Sequence, residues 1–265
     1  MLKEWIIRAQ TDEGAALARD IGAVPIIGQI LWNRGIRSAE DAQTFHHPED
    51  GPFHDPFLMR DMEKAVLRIQ KAIHEGERIV VYGDYDVDGM TSTTLLMKNI
   101  RALGGMVAYY IPNRFTEGYG LNGRALEQLA AEGCNLLITV DCGIASVETV
   151  AELDAGMDVI ITDHHLPGSA LPSAYAVINP HRVDCPYPDK ELAGVGVAFK
   201  LVQALWQMEK QRLYTDDLDI AALGTVADLV PLVGENRKIV KMGLARMSEH
   251  PCDGIAALIC ISGLE

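Results

Sequence analysis

Acidic and histidine side chains follow three short apolar runs of the sequence. The first run precedes an Asp-x-Asp-x-Asp-Gly motif, the second precedes Asp-Cys-Gly, and the third precedes Asp-His-His. The residues concerned are Asp84, Asp86, Asp88, Asp141, Asp163, His164 and His165. Gathered in one place, so many carboxylates would repel one another and raise one another's pKa values unless cations lay between them. Carboxylate oxygens with one or two imidazoles favour Mn²⁺ or Mg²⁺ over zinc.

Each motif taken alone has a simpler interpretation. The first has acids and glycine at positions 1, 3, 5 and 6 of a calcium-binding loop, but position 12 is Leu95 instead of glutamate, and a strand precedes the loop where a helix is required. An acidic surface turn would explain the same residues, and Asp141 could be an ordinary turn residue. Adjacent histidines occur in loops and helix caps. These interpretations do not explain why all three motifs directly follow predicted strands.

The apolar runs are predicted to be strands of a parallel sheet. The predicted strands are 79–82, 106–111, 136–140, 159–162 and 174–178, and the helices between or after them are 91–103, 123–132, 146–155 and 195–211. Continuous Val, Ile and Leu strands that alternate with helices are typical of an α/β fold with helices on both faces of the sheet. Ligands of such sheets bind beyond the carboxyl ends of the strands, where the acids are found.

The first 57 residues have a different pattern. Short helices are predicted at 12–19, 26–34 and 38–45, the last with Ser38 as its N-cap. Prolines at 48, 52 and 56 indicate a linker over 46–57, and apolar residues spaced three or four apart predict another helix over 61–73.

Composition excludes several classes of protein. The 265 residues include 23 Lys+Arg and 37 Asp+Glu, a formal charge of −14, and 48% hydrophobic residues, which is ordinary globular usage. No apolar run approaches the roughly 18 residues of a membrane span, and no secretory signal is recognised. Five cysteines without Cys-x-x-Cys spacing disfavour a disulfide scaffold and a zinc finger, so a cytoplasmic protein is expected. The acidic charge disfavours a broad duplex-binding face but does not exclude a nucleic-acid enzyme, because bound divalent cations can invert the local charge of an acidic cleft.

The motifs resemble those of a known superfamily. The segments 80–89, 140–143 and 163–165 resemble the signature motifs of the DHH phosphoesterases. Further stretches are similar to the RecJ family of single-strand-specific DNA exonucleases, namely 34–42, 55–62, 111–122, 192–199 and 224–237. The resemblance covers nearly the whole chain and implies a DHH phosphoesterase domain over 58–245, preceded by the helical region 1–57 and followed by the start of a linker helix at 246–265.

The resemblance implies a two-metal hydrolase that releases 5′-mononucleotides from single-stranded DNA in the 5′→3′ direction, in DNA repair and recombination. Two Mn²⁺ or Mg²⁺ ions are its cofactors, and a helicase or a single-strand-binding protein is a candidate partner. Carried over by motif, two acids serve the first ion, one bridges both ions, and three residues serve the second ion. Asp84 and Asp86 serve the first ion, Asp141 bridges both ions, and the second ion is served by Asp88, His164 and Asp228. The same resemblance makes Asp141, His164 and His165 the catalytic residues, with His165 near the scissile phosphate.

Five residues are predicted to bind the substrate: Arg114, Tyr119, His165, Gly194 and Arg237. A guanidinium such as that of Arg114 can hold a phosphate at two points, although an exposed loop arginine is common. Tyr119 could stack on a base or pack in a loop. The backbone at Gly194 could receive an anion or permit close helix packing.

Members of the resembled family continue into a second domain with a Gly-Gly-His motif and an oligonucleotide-binding fold. Since this sequence ends at Glu265, it is expected to be a truncated product or a fragment that keeps the metal ligands and lacks part of the DNA channel. Two alternatives stay open: a DHH phosphodiesterase for short oligonucleotides or cyclic dinucleotides, and a non-catalytic DHH module.

Overall fold

A computed structural model describes residues 6–118, 120–153 and 156–263, which fall into two compact units, Met1–Pro52 and Phe53–Glu265. The first unit contains the helices α1 (Asp12–Asp20), α2 (Pro25–Asn33) and α3 (Ala39–His46), followed by a short 3-10 turn. Its small core consists of Leu17, Leu31, Ile36 and Ala42. As predicted, Ser38 caps α3, because its hydroxyl accepts the N–H of Asp41.

A parallel sheet forms the centre of the second unit. In the described residues it has five strands in the order β2-β1-β3-β4-β5. Their bounds are β1 (Arg78–Gly83), β2 (Met106–Tyr110), β3 (Leu136–Val140), β4 (Asp158–Thr162) and β5 (Ala176–Ile178). The predicted α/β fold with a mostly parallel sheet is confirmed, and every predicted strand is found, although β5 begins two residues later than expected.

Alternate strand residues face two separate cores. Ile79 and Val81 of β1 belong to the larger core, whereas Val80 and Tyr82 belong to the smaller one on the opposite face. The larger core also contains residues of α4 (Met62–Glu75), α5 (Val87–Ala102), α8 (Gly194–Lys210), α9 (Leu218–Ala227) and α10 (Gly234–Glu249). The smaller core contains residues of α6 (Gly123–Ala131) and α7 (Val147–Ala151). Helices therefore cover both faces, as a buried parallel sheet requires.

Two helices differ from their predicted bounds. Helix α5 begins at Val87, four residues before the expected start, because the Asp86 carboxylate accepts the N–H of Gly89 and caps it. Residue 246, the predicted start of a linker helix, lies inside α10, and a second helix, α11 (Asp253–Ile261), follows a break. Pro251 explains the break, since a residue before proline avoids the helical conformation.

None of the described helices alone is both long enough and apolar enough to cross a bilayer. Among them, only α1 and α2 taken together have that length and composition, and they are bent by 114° relative to one another.

Candidate metal centre

The predicted ligands come together at the carboxyl edge of the sheet. Strands β1, β3 and β4 are neighbours, so the segments that follow them meet there. In three groups, the candidate ligand atoms lie within 4.8 Å of one another. The groups are Asp84, Asp86 and Asp141; Asp88, His164 and Asp228; and Asp141, His164 and His165. All six predicted metal ligands belong to these groups.

Asp141 and His164 connect the groups. The Nε2 atom of His164 lies 3.2 Å from Oδ1 of Asp141, 3.7 Å from Oδ2 of Asp228 and 4.0 Å from Oδ2 of Asp88. Asp141 is 2% exposed and has a positive φ of 58°, a conformation that asparagine and aspartate tolerate better than most residues. Its carboxylate belongs both to the group with Asp84 and Asp86 and to the group with the two histidines, as expected of a ligand that bridges two ions.

Three buried polar atoms of this centre have no hydrogen-bond partner among the described residues. They are Oδ1 of Asp141, Nε2 of His164 and Oδ2 of Asp228. A buried polar atom without a partner costs free energy, and these three point toward the same small space. Bound cations would satisfy them, and the mixture of carboxylate oxygens with imidazole suits Mn²⁺ or Mg²⁺.

The electrostatics of the centre favour the same conclusion. Burial, together with the charges of Asp86 and Asp163, raises the pKa of Asp141 to about 9. Burial and the neighbouring Asp141 raise the pKa of Asp88 to about 8. The pKa values of Asp84 and Asp228 are also raised, chiefly by burial. Each of these acids therefore disfavours the ionisation of the others unless a positive charge is bound between them.

The N-terminus of α8 holds Asp88 in place. The N–H of Gly194 donates to Oδ2 of Asp88 and the N–H of Val195 donates to Oδ1, both at 2.7 Å. A β-carbon on Gly194 would lie 2.7 to 2.9 Å from atoms of the Asp141 side chain. Gly194, predicted to bind substrate, thus has its N–H bonded to a candidate metal ligand and its α-carbon packed against another.

Asp163 organises the segment that carries both histidines. Its carboxylate accepts the N–H groups of Ile144, His164 and His165 at 2.7 to 3.0 Å, and Nδ1 of His165 lies 2.8 Å from Oδ1. Burial alone would raise the pKa of Asp163, but hydrogen bonds from His165 and Ile144 outweigh it and lower the pKa. The bond to Asp163 raises the pKa of His165 to about 9. The sequence prediction did not assign this role to Asp163.

Three predicted substrate residues, Arg114, Arg237 and Tyr119, are not members of the three ligand groups. Arg114 is exposed in the turn after β2, and its guanidinium carbon lies 5.3 Å from the centroid of the Tyr85 ring. In the sequence, Tyr85 stands between two candidate metal ligands. Arg237 is half-buried in the first turn of α10, outside the three ligand groups. Tyr119 lies outside the described residues.

Comparison with known proteins identifies the family of the sheet-containing unit. The model of the DHH family, N-terminal domain, matches residues 78–225, which include every candidate ligand except Asp228. The chain is 46% identical over 261 residues to the single-stranded-DNA-specific exonuclease RecJ of Bacillus subtilis (strain 168), covering 98% of this chain and 33% of that protein. It is 41% identical to the enzyme of the same name from Escherichia coli (strain K12), covering 95% of this chain and 45% of that protein.

The solved structures to which the chain is similar are also RecJ proteins. The structure of RecJ in complex with Mn²⁺ from Thermus thermophilus has a TM-score of 0.79 and 32% identity, covering 96% of this chain and 36% of that one. A crystal structure of exonuclease RecJ bound to manganese has a TM-score of 0.72 and 38% identity, covering 77% of this chain and 52% of that one. The chain therefore spans between a third and about half of the proteins it matches.

Proposed function

Because the chain belongs to the DHH family, we propose that it is the metal-binding part of an exonuclease that hydrolyses single-stranded DNA from its 5′ end and releases 5′-mononucleotides. One observation carries the proposal. Three buried atoms, on Asp141, His164 and Asp228, face one another without hydrogen-bond partners among the described residues. They lie at the carboxyl edge of the sheet, in a chain similar to RecJ structures that contain manganese.

The residues divide into two sets of ligands. We assign Asp84 and Asp86 to one ion, and Asp88, His164 and Asp228 to the other, with Asp141 shared by both. When bound, a pair of such ions supplies a nucleophile from water at neutral pH and neutralises charge on the phosphate. Gly194 and Val195 orient Asp88 through their N–H groups, and Asp163 orients the two histidines.

Other residues are assigned to the DNA. His165 is 47% exposed at its side chain and lies beside Asp141, so it can donate a hydrogen bond to the reacting phosphate. Arg114, beside Tyr85, is assigned to the terminal phosphate, since a guanidinium matches two phosphate oxygens. Tyr119 and Arg237 complete the proposed DNA contacts. We place the protein in the cytoplasm, acting in repair and recombination on strands that a helicase or a single-strand-binding protein supplies.

Digestion of labelled DNA tests the function directly. With Mn²⁺, the chain is expected to shorten a 5′-phosphorylated single strand from its 5′ end and to leave a blunt duplex of the same sequence intact. Release of mononucleotides, resolved by chromatography, identifies the product. Turnover confined to dinucleotides or cyclic dinucleotides would instead indicate the short-substrate phosphodiesterase. Inactivity on every strand, even after the remainder of a RecJ relative is added, would contradict the proposal.

Ion binding is expected to release protons at neutral pH. With pKa values of about 8 and 9, Asp88 and Asp141 hold protons at pH 7 in the folded ion-free chain, whereas they are ionised in the unfolded chain. A bound dication requires their ionised forms. Calorimetric titration with Mn²⁺ in buffers of different ionisation enthalpy is therefore expected to detect roughly one to two protons released per chain.

The same shifts predict how stability depends on pH. Between about pH 4 and pH 9, Asp88 and Asp141 bind more protons in the folded state than in the unfolded state, so their contribution to the stability of the ion-free chain should fall as the pH rises through this window. Mn²⁺ should therefore raise the melting temperature more at high pH than at low pH. An Mn²⁺-induced shift that is equal at both ends of the window would contradict this interpretation.

A further inference from the structure

Asn236 lies between two loops that lead to the metal centre. It is fully buried, and its Nδ2 group donates to the backbone oxygens of Glu191 and, at 3.2 Å, Pro231. Its Oδ1 atom accepts the N–H of Ala193 at 3.4 Å. One side chain in the first turn of α10 therefore bonds the main chain of both loops.

Each of these loops is connected to candidate ligands. The loop that contains Glu191 and Ala193 continues into Gly194, whose N–H holds the Asp88 carboxylate and whose α-carbon packs against Asp141. The loop that contains Pro231 begins at Asp228, and the next residue, Leu229, has a positive φ of 63°. A shift of either loop would move a carboxylate of the second ligand set.

A second connection reinforces the first. Asp189 accepts the N–H of Glu235 at 2.6 Å and the N–H of Glu191 at 3.1 Å. The close fit extends to Gly234, where a β-carbon would lie 2.3 Å from Oδ2 of Asp189. Because both Asp189 and Asn236 bond the segment around Glu191 to the start of α10, the two loops are held at a fixed separation.

We propose that Asn236 is a positioning residue for the second ion, an inference that rests on the proposed function. It sets the distance between the loop that orients Asp88 and the loop that carries Asp228, although it touches neither carboxylate. Residues that orient metal ligands from behind commonly change metal affinity by about 10- to 100-fold when they are replaced. Asn236 should therefore control ion affinity, with the chemistry of the loaded centre retained.

The test is a Mn²⁺ titration of the Asn236→Ala chain, followed by calorimetry or by the paramagnetic resonance of free Mn²⁺. We expect the affinity of one of the two ions to fall by roughly tenfold or more, and excess Mn²⁺ to restore most of the turnover rate. A matched control is Asn99→Ala. Asn99 is also buried and bonds Leu95, Asp217 and Trp206, all in a network away from the candidate ligands. That variant should lose stability but keep both affinities.

Two results would overturn the inference. One is an Asn236→Ala chain that binds both ions as the unaltered chain does. The other is an equal loss of affinity in Asn99→Ala, which would indicate general destabilisation. If Asn236→Ala does not fold, the Mn²⁺ titration is made with Asp189→Asn instead. That substitution removes one of the two N–H bonds that Asp189 accepts, so it should weaken the binding of the same ion. Unchanged affinity in that variant would overturn the inference. An unaltered chain that binds no Mn²⁺ would overturn the proposed function itself.

Discussion

Replacement of Asp141 by asparagine is expected to abolish nuclease activity and to weaken the binding of both ions. Asp141 is the acid that two ligand groups share, and its Oδ1 atom is buried with no hydrogen-bond partner in the part of the chain that the structure describes. Asparagine keeps the side-chain volume and tolerates the positive φ, so the fold should be retained. We expect turnover of a single strand to fall by roughly a thousandfold or more, since the substitution removes a ligand from both ions.

The ion-free Asp141→Asn chain should be at least as stable as the unaltered one. Burial and like charges raise the pKa of Asp141, so its ionised form opposes folding at high pH. Thermal unfolding without metal at about pH 8 measures this effect. Asp61→Asn is a matched control, because Asp61 has a similar φ of 64° but bonds Arg182 and the N–H of Val177. It should lose stability and keep Mn²⁺ affinity, and the reverse result would exclude a bridging role for Asp141.

Replacement of Gly194 by alanine is expected to have the second-largest effect. The added β-carbon would lie 2.7 to 2.9 Å from three atoms of the Asp141 side chain, which is 2% exposed and has little room to move. Either α8 or the carboxylate must move. We expect a stability loss of about 1–3 kcal/mol from overpacking and an activity loss of roughly a hundredfold, because small displacements of reacting groups are costly. Chemical denaturation and strand digestion measure the two effects separately.

Gly196, two residues later in the same helix, provides the comparison. A β-carbon there would meet mainly the side chain of Leu192, at 3.1 to 3.7 Å, and a leucine side chain can adjust its rotamer. Gly196→Ala should therefore change activity by less than about threefold. Similar losses in the two variants would mean that helix packing, and not the position of Asp141, limits activity.

The sheet and the ligand cluster were predictable because their signals are local. Strand β3 was predicted with its observed bounds, since Leu136–Val140 is apolar except for Thr139 and lies between Asn135 and Asp141. Parallel strands bring their carboxyl ends to one edge, so residues that are distant in sequence could be placed together from strand positions alone. The proximity of Asp84 to Asp141, and of Asp141 to His164, followed from this rule, because these residues come after β1, β3 and β4.

Other features depend on contacts that the sequence does not display. The bonds from Gly194 and Val195 to Asp88 join residues more than a hundred positions apart. Asp86 was interpreted only as a ligand, and its second role as the cap of α5 therefore went unrecognised, which placed the start of the helix too late. The break before α11 did have a local signal in Pro251, which the prediction of one continuous linker helix overlooked.

The ligands of the centre extend along most of the second unit, from Asp84 to Asp228. The N-terminal part of a chain leaves the ribosome first, and a unit of this kind folds only after its helices and strands have emerged. A nascent chain that stops before Asp228 lacks one member of the second ligand set, whatever strands it has already formed. Under the proposed function, the second ligand set is therefore complete only after Asp228 has been added, and shorter products are expected to lack hydrolytic activity.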